Sequence, residues 1–249
     1  MNEIVQKTVL ISGGAGSMGK LVSDYINSRN DFIMTAIHDP NYDGQEYKIY
    51  KDLTKIEEDI VVEFSPASVI NKNIEQLLDS NVDLIIGSSG VSPEMLSRLK
   101  KTKDRKIIVI PNFSIGAAYQ KLFAAALSEN FDSVNITEKH HGNKQDAPSG
   151  TAIDLANSLP SELISHKKNG DFYQTNQINN KNIYSLRDDV FLAEQEVDFE
   201  NEFESFNLDH KVNDRKAYLY GVKVVLDLYN DLQGFSLGLE NLIAKKINI

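Results

Sequence analysis

Thr8-Val9-Leu10-Ile11-Ser12-Gly13-Gly14-Ala15-Gly16-Ser17-Met18-Gly19 is the stretch that decides the fold of this chain. Its first four residues form a short aliphatic, largely β-branched run, the pattern of a buried strand. A helical pattern takes over from about residue 18 to residue 28. In the loop between them, Gly13, Gly16 and Gly19 let the backbone turn sharply and come close to a pyrophosphate. The helix that follows offers N–H groups and a partial positive charge at its first turn. The spacing departs from G-x-G-x-x-G, because Ala15 holds the middle position with Gly14 and Gly16 on either side. A tight strand-to-helix turn with no ligand is the competing reading of such a loop.

Moving outward, the alternation continues. Residues 32–37, 60–64, 82–86 and 107–110 read as further short strands, and 69–78 and 93–100 as helices. This rhythm predicts an α/β, Rossmann-like, doubly wound parallel sheet. Asp39 lies 20 residues after Gly19, where a dinucleotide fold places an acid on the adenosine ribose diol. An acid there repels a 2′-phosphate, and Pro40 brings no guanidinium to bind one, so the expectation is a preference for NADH over NADPH. Asp39 also suits the opening of a simple turn over residues 38–40. Gly87-Ser88-Ser89-Gly90 and Pro111-Asn112-Phe113-Ser114 follow two of the strands, at the carboxyl ends where open α/β sheets bind ligands. Each also reads as an ordinary loop.

After Pro111 the rhythm changes. A helix over 115–130, a strand over 134–137 and a helix over 151–159 are expected. Residues 160–182 are polar and rich in Asn and Lys, and read as a loop or irregular excursion. Residues 183–187, 190–199 and 203–212 read as antiparallel strands, with Glu200, Glu202 and Glu204 outward and Phe199 and Phe203 inward. Helices over 218–229 and 237–247 close the chain. The organisation predicted is a dinucleotide domain of residues 1–114 plus 217–249, interrupted by an α+β domain of residues 115–216.

Composition bounds the function. A net charge of −10 argues against a general nucleic-acid or membrane-surface binder, which needs a basic face. With no cysteine, disulfides, thiolate chemistry and cysteine-held metals are excluded. No apolar run has the length of a membrane span and no signal pattern opens the chain, so a cytoplasmic protein is expected.

Against that acidic background, Glu138 to Ala152 reads EKHHGNKQDAPSGTA. Lys139, His140, His141 and Lys144 come with no acid between them. Histidine holds or delivers a proton near neutral pH, and lysine supplies an ammonium with three donors. Pro148 enters a turn, and Thr151 with Asp154 fits a capping pattern that would aim the N–H groups of Gly150 and Thr151 at a carboxylate. Together these features suit a small dicarboxylate. Asp146 reads as a turn residue or lysine partner. A solvated basic loop and a His-His metal fragment are the alternatives, but His38, His166 and His210 lack ligand spacing, so no metal is expected.

EKHHGNKQDAPSGTA closely resembles the signature E-x-H-H-x-x-K-x-D-A-P-S-G-T-A of the 4-hydroxy-tetrahydrodipicolinate reductase (dihydrodipicolinate reductase) family. GGAGSMG, GSSG and PNFSIG resemble that family's glycine loop, G-T-T-G loop and A-N-F-S-x-G hinge, in the same order. The resemblance implies reduction of a cyclic, unsaturated dicarboxylate to tetrahydrodipicolinate by NADH or NADPH, in lysine and diaminopimelate biosynthesis. It gives His140 the proton donor/acceptor position and Lys144 the second proton-donor position. His141, Gly150 and Thr151 take the substrate-carboxylate positions. Gly13, Gly14, Ala15, Gly16, Ser17, Met18, Asp39, Gly87, Ser88, Ser89, Pro111, Asn112 and Phe113 take the cofactor positions. It also implies a homotetramer built through the sheet of the inserted domain, and closure of the two domains over substrate.

Departures are informative. Ser17 and Pro40 stand where many members carry a basic residue, and both support the NADH expectation. Ala193-Glu194-Gln195 replaces a G-E-H triplet, and Arg187 sits where the family's arginine of that region is expected. The rival readings are another two-domain nicotinamide oxidoreductase acting on an amino or imino acid, and a non-catalytic dinucleotide-binding protein.

Overall fold

In the computed structural model, which describes residues 5–247, the opening stretch forms β1 (Lys7–Ser12), the glycine loop and α1 (Ser17–Asn27). Then follow β2 (Phe32–His38), β3 (Lys48–Ile49), β4 (Ile60–Glu63), α2 (Ile70–Leu78), β5 (Asp83–Ile86), α3 (Pro93–Leu99) and β6 (Ile107–Val109). A second run comprises α4 (Ile115–Leu127), β7 (Ser133–His140), α5 (Gly150–Ser158), β8 (Gln174–Ile178), β9 (Lys181–Arg187), β10 (Ala193–Glu200) and β11 (Ser205–Val212). The chain returns with α6 (Tyr218–Leu228), β12 (Phe235–Leu237) and α7 (Leu239–Ile247). Two units result, dividing at 113/114 and at 218/219. Residues 1–4 and 248–249, the ends of the expected dinucleotide domain, lie outside the described residues.

The first unit is a seven-stranded sheet in the order β12-β6-β5-β4-β1-β2-β3, with every pair parallel. All four residues of β4 are buried, as expected of a strand covered on both faces. Leu10, Val61, Leu84 and Ile107 meet Ile70, Ile74 and Leu77 of α2 and Met95 and Leu99 of α3 in one core. The spacing of Ile70, Ile74 and Leu77 sets one apolar stripe on α2, and each such side chain contributes about 1.5–3 kcal/mol when fully buried. Strand order reverses between β1 and β4, so the loops after them diverge and open a crevice at the carboxyl edge.

The second unit is a five-stranded sheet in the order β11-β10-β7-β9-β8. Val134, Ile136, Ile183, Val197 and Phe199 line the face that packs on Ala152, Leu155 and Ala156 of α5 and Ala124 of α4. Four expectations need correction here. The 160–182 excursion contains β8, which forms a hairpin with β9 across Asn179-Asn180. Their φ values of 48° and 62° are the left-handed pair that a two-residue hairpin turn demands and that asparagine tolerates. The strands are not all antiparallel, because β7 inserts between β9 and β10 and pairs in parallel with β9. Phe203 lies in the β10–β11 turn and is exposed, whereas Phe199 is fully buried. The strand expected over 134–137 runs on to His140, placing Glu138, Lys139 and His140 on the strand itself.

Candidate active site

In the first unit the sequence-selected residues gather at neighbouring strand ends: the glycine loop after β1, Asp39 after β2, Gly87–Ser89 after β5 and Pro111–Phe113 after β6. Gly13 has φ +81°, and a Cβ there would sit 2.8 Å from the Phe64 carbonyl carbon. A Cβ on Gly19 would stand 2.3 Å from the Gly13 carbonyl oxygen, so the loop and α1 pack too closely for any side chain. Gly16, which has no side chain to cap with, precedes α1, and among the described residues no side-chain cap bonds the helix's first turn. Asp39 accepts from the Ala15 N–H at 3.0 Å and the Asn41 N–H at 2.8 Å, so it both opens a turn and braces the loop. A tight glycine loop, an uncapped helix start and an adjacent carboxylate fit a dinucleotide.

Not every selected side chain faces outward. Ser88 is buried and donates to the Glu63 carbonyl at 3.1 Å. Phe113 is buried against Phe64, with ring centroids 5.9 Å apart, and a Cβ on Gly87 would collide with both rings. These positions have only their backbones to offer a ligand. Beneath them, Ser12 Oγ lies 2.9 Å from His38 Nδ1 and 3.0 Å from Ser65 Oγ, while Asn73 Nδ2 donates to Ser65 Oγ and Glu63 Oε2. That buried network ties the ends of β1, β2 and β4 to α2, and sequence reading missed it because its members lie in four separate segments.

In the second unit, strand geometry sorts the cationic motif. Successive side chains of a strand alternate faces. Glu138 and His140 share the face of Val134 and Ile136, on the side of α5, while Lys139 projects from the other. Lys139 pairs there with Glu196 of β10, on the face opposite His140, a correction to the four-cation cluster read from sequence. His140 ends β7, His141 and Lys144 lie in the loop that follows, and Gly150 and Thr151 open α5. Ser149, not Thr151, caps α5, its Oγ accepting from the Ala152 N–H at 3.2 Å. Asp154 instead binds Lys121 at 2.6 Å. The shift leaves Gly150 first in the helix, where its N–H has no carbonyl one turn earlier to meet. A Cβ there would meet nothing within 4 Å, so this chain's own packing does not require glycine.

Two residues given no role from sequence complete the arrangement, Glu138 at the head of the motif and Arg187, noted there only by its position. Glu138 is fully buried and lies 2.5 Å from His140 Nδ1. Arg187 of β9, in register with His140, takes both Glu138 oxygens at 2.9 and 3.0 Å. Burial pushes the Glu138 carboxyl up, but the hydrogen bonds with His140 and Arg187 outweigh it and hold it down at about 2. The i, i+2 spacing of Glu138 and His140 was the available signal. Lys144 Nζ binds both oxygens of Asp146 at 2.8 and 2.7 Å, and this pair lowers the Asp146 carboxyl against the opposing effect of its burial. Gln195, in place of the expected histidine, is buried, and its Nε2 donates to Gln120 Oε1 of α4 at 2.9 Å, while Gln120 Nε2 donates back to the Gln195 carbonyl at 2.7 Å. It braces α4 on β10.

The family described as dihydrodipicolinate reductase matches in two parts, its N-terminal part over residues 7–113 and its C-terminal part over residues 115–243. The 4-hydroxy-tetrahydrodipicolinate reductase of Geobacillus thermodenitrificans is 30% identical over 261 residues, covering 94% of this chain and 98% of the relative. That of Coxiella burnetii is 30% identical over 241 residues, with 94% and 98% covered. Among solved structures, the dipicolinate-bound dihydrodipicolinate reductase of Paenisporosarcina sp. TG-14 aligns with a TM-score of 0.77 at 25% identity, over 95% of this chain and 99% of that one. A myo-inositol dehydrogenase from Corynebacterium glutamicum shares the fold, with a TM-score of 0.65 at 15% identity over 98% and 94% of the two chains. With both halves of the chain matched in order, the protein belongs to the dihydrodipicolinate reductase family.

Proposed function

We propose that this protein reduces 4-hydroxy-tetrahydrodipicolinate to tetrahydrodipicolinate with a nicotinamide dinucleotide, in the biosynthesis of diaminopimelate and lysine. The carrying observation is the β7–α5 connection of the second unit. It sets a carboxylate-held imidazole, an ammonium and the glycine start of a helix along one stretch of chain. Family membership supports the substrate, and the dipicolinate bound to the Paenisporosarcina relative is likewise a cyclic dicarboxylate. In this reading the first unit holds the dinucleotide on its glycine loop and α1, with Asp39 at the ribose diol. When bound, the reduced dinucleotide supplies the hydride. The second unit holds the substrate carboxylates through His141 and the Gly150 and Thr151 backbone. The 4-hydroxyl leaves with a ring hydrogen as water, and His140 or Lys144 delivers the proton that balances the hydride added to the resulting unsaturated ring. The same reading makes the protein a cytoplasmic homotetramer assembled through the second unit's sheet, on the strength of the family resemblance.

The cofactor is NADH in preference to NADPH. Asp39 presents negative charge, and neither Ser17 nor Pro40 supplies a cation for a 2′-phosphate. A coupled assay with freshly generated substrate, following nicotinamide absorbance with both dinucleotides in parallel, tests both statements. No absorbance change with either dinucleotide sinks the function. An equal or higher kcat/KM with NADPH sinks the preference.

Gly150→Ala separates ligand binding from folding. The added methyl meets nothing in the chain, and alanine is the better helix former, so thermal stability should stay level or rise slightly. If a carboxylate docks against that backbone, KM for the dicarboxylate should rise about tenfold, the equivalent of about 1.4 kcal/mol. An unchanged KM would remove Gly150 from the substrate site.

A further inference from the structure

We propose that Glu138 and Arg187 form a positioning pair that locks His140 into one ring orientation and ties it to the loop carrying Lys144. The proposal deepens the reductase reading and rests on it, since it gives the two candidate proton donors a common support. Glu138 is fully buried, and the Arg187 side chain is 4% exposed. Each N–H of the guanidinium has an acceptor. Nη1 reaches Glu138 Oε2 and the Leu186 carbonyl, Nη2 reaches Glu138 Oε1 and the Asp146 carbonyl, and Nε reaches the Lys144 carbonyl, at 2.7–3.2 Å. One planar group therefore grips β7 through Glu138 and the 144–146 loop through its backbone.

The consequence for His140 follows from donor counting. An ionised carboxylate only accepts, and both Glu138 oxygens already face Arg187. The contact of Glu138 Oε2 with His140 Nδ1 therefore requires the proton on Nδ1. Proton traffic is then confined to Nε2, the other edge of the ring. Because Arg187 neutralises Glu138, the pair fixes geometry and adds little net charge. The other charged groups nearby in the chain are Lys144 and Asp146 on the loop and Asp188 and Asp189 just after β9, while Lys139 and Glu196 pair on the opposite face. Lysine at position 187 would keep the charge but lack the fork that spans carboxylate and loop.

The test combines NMR of the 15N-histidine-labelled protein with steady-state kinetics. In the wild type, the His140 signals, assigned by their loss in His140→Gln, should show a protonated Nδ1 with a far-downfield proton. Glu138→Gln should move that proton upfield and lower kcat about 10- to 100-fold, the usual cost of losing a partner that orients a functional histidine. The dinucleotide KM should stay within twofold. Arg187→Lys should give a similar kcat loss, which charge balance alone would not produce. An Nε2-protonated His140 in the wild type overturns the proposal, and so do folded Glu138→Gln and Arg187→Lys proteins with kcat within threefold of wild type. Should Glu138→Gln fail to fold, the wild-type tautomer and Arg187→Lys decide. A wild type without reductase activity would strike the reductase reading instead, and the tautomer would still confirm or overturn the pairing.

Discussion

Lys144→Ala is expected to lower kcat about 10²- to 10⁴-fold, the range that a positioned general acid contributes, while leaving dinucleotide affinity unchanged. The Lys144 side chain is half-buried, and among the described residues its one ion pair is with Asp146 of the same loop. Its partner Asp146 has a side chain 63% exposed, and a pair of this kind is worth about 0–1 kcal/mol. A substrate anion can displace Asp146 at little cost, so removing Lys144 should spare the fold. Arg187 secures the loop through backbone carbonyls, and those hydrogen bonds survive the substitution. His140→Gln, measured in parallel, identifies which of the two groups carries the proton: the larger loss of kcat marks the donor. Steady-state kinetics with both substrates, together with dinucleotide titration, give the check. Near-normal turnover in Lys144→Ala would remove that residue from the chemistry.

Gly19→Val should reduce dinucleotide affinity by at least about 10²-fold. The first added carbon alone would lie 2.3 Å from the Gly13 oxygen and 2.7 Å from the Gly14 Cα, inside the space where α1 meets the glycine loop. Both neighbours are backbone, so the loop itself must move. Overpacking of this kind costs about 1–3 kcal/mol in stability. The larger effect falls on binding, because a shifted helix start no longer presents its N–H groups to a pyrophosphate. Fluorescence or calorimetric titration with NADH on folded protein measures the change. Affinity within threefold of wild type would mean that the loop is only a turn.

The first unit was the more legible one. Its strands alternate with helices at short range, and glycine spacing, apolar runs and Asp39 are local signals that one pass along the chain can read. Two elements escaped. β3 and β12 have two and three residues, and they exist because they extend an edge already formed by β2 and β6. The second unit was less legible because its register is set between distant segments. Residues 174–178 look like polar loop until Asn179-Asn180 turns them back onto β9.

The candidate site divides in the same way. Sequence alone determined the parallel sheet, the glycine loop, the order of the EKHHGNKQDAPSGTA motif and the family it resembles, because spacing, turn chemistry and residue type are properties of contiguous chain. Only the tertiary structure decided which of those residues work together. Strand alternation sent Lys139 away from His140, and the register of β7 with β9 brought in Arg187 from 49 positions beyond Glu138. A buried carboxylate must find its partner wherever the fold supplies one, and that pairing is written in no single segment.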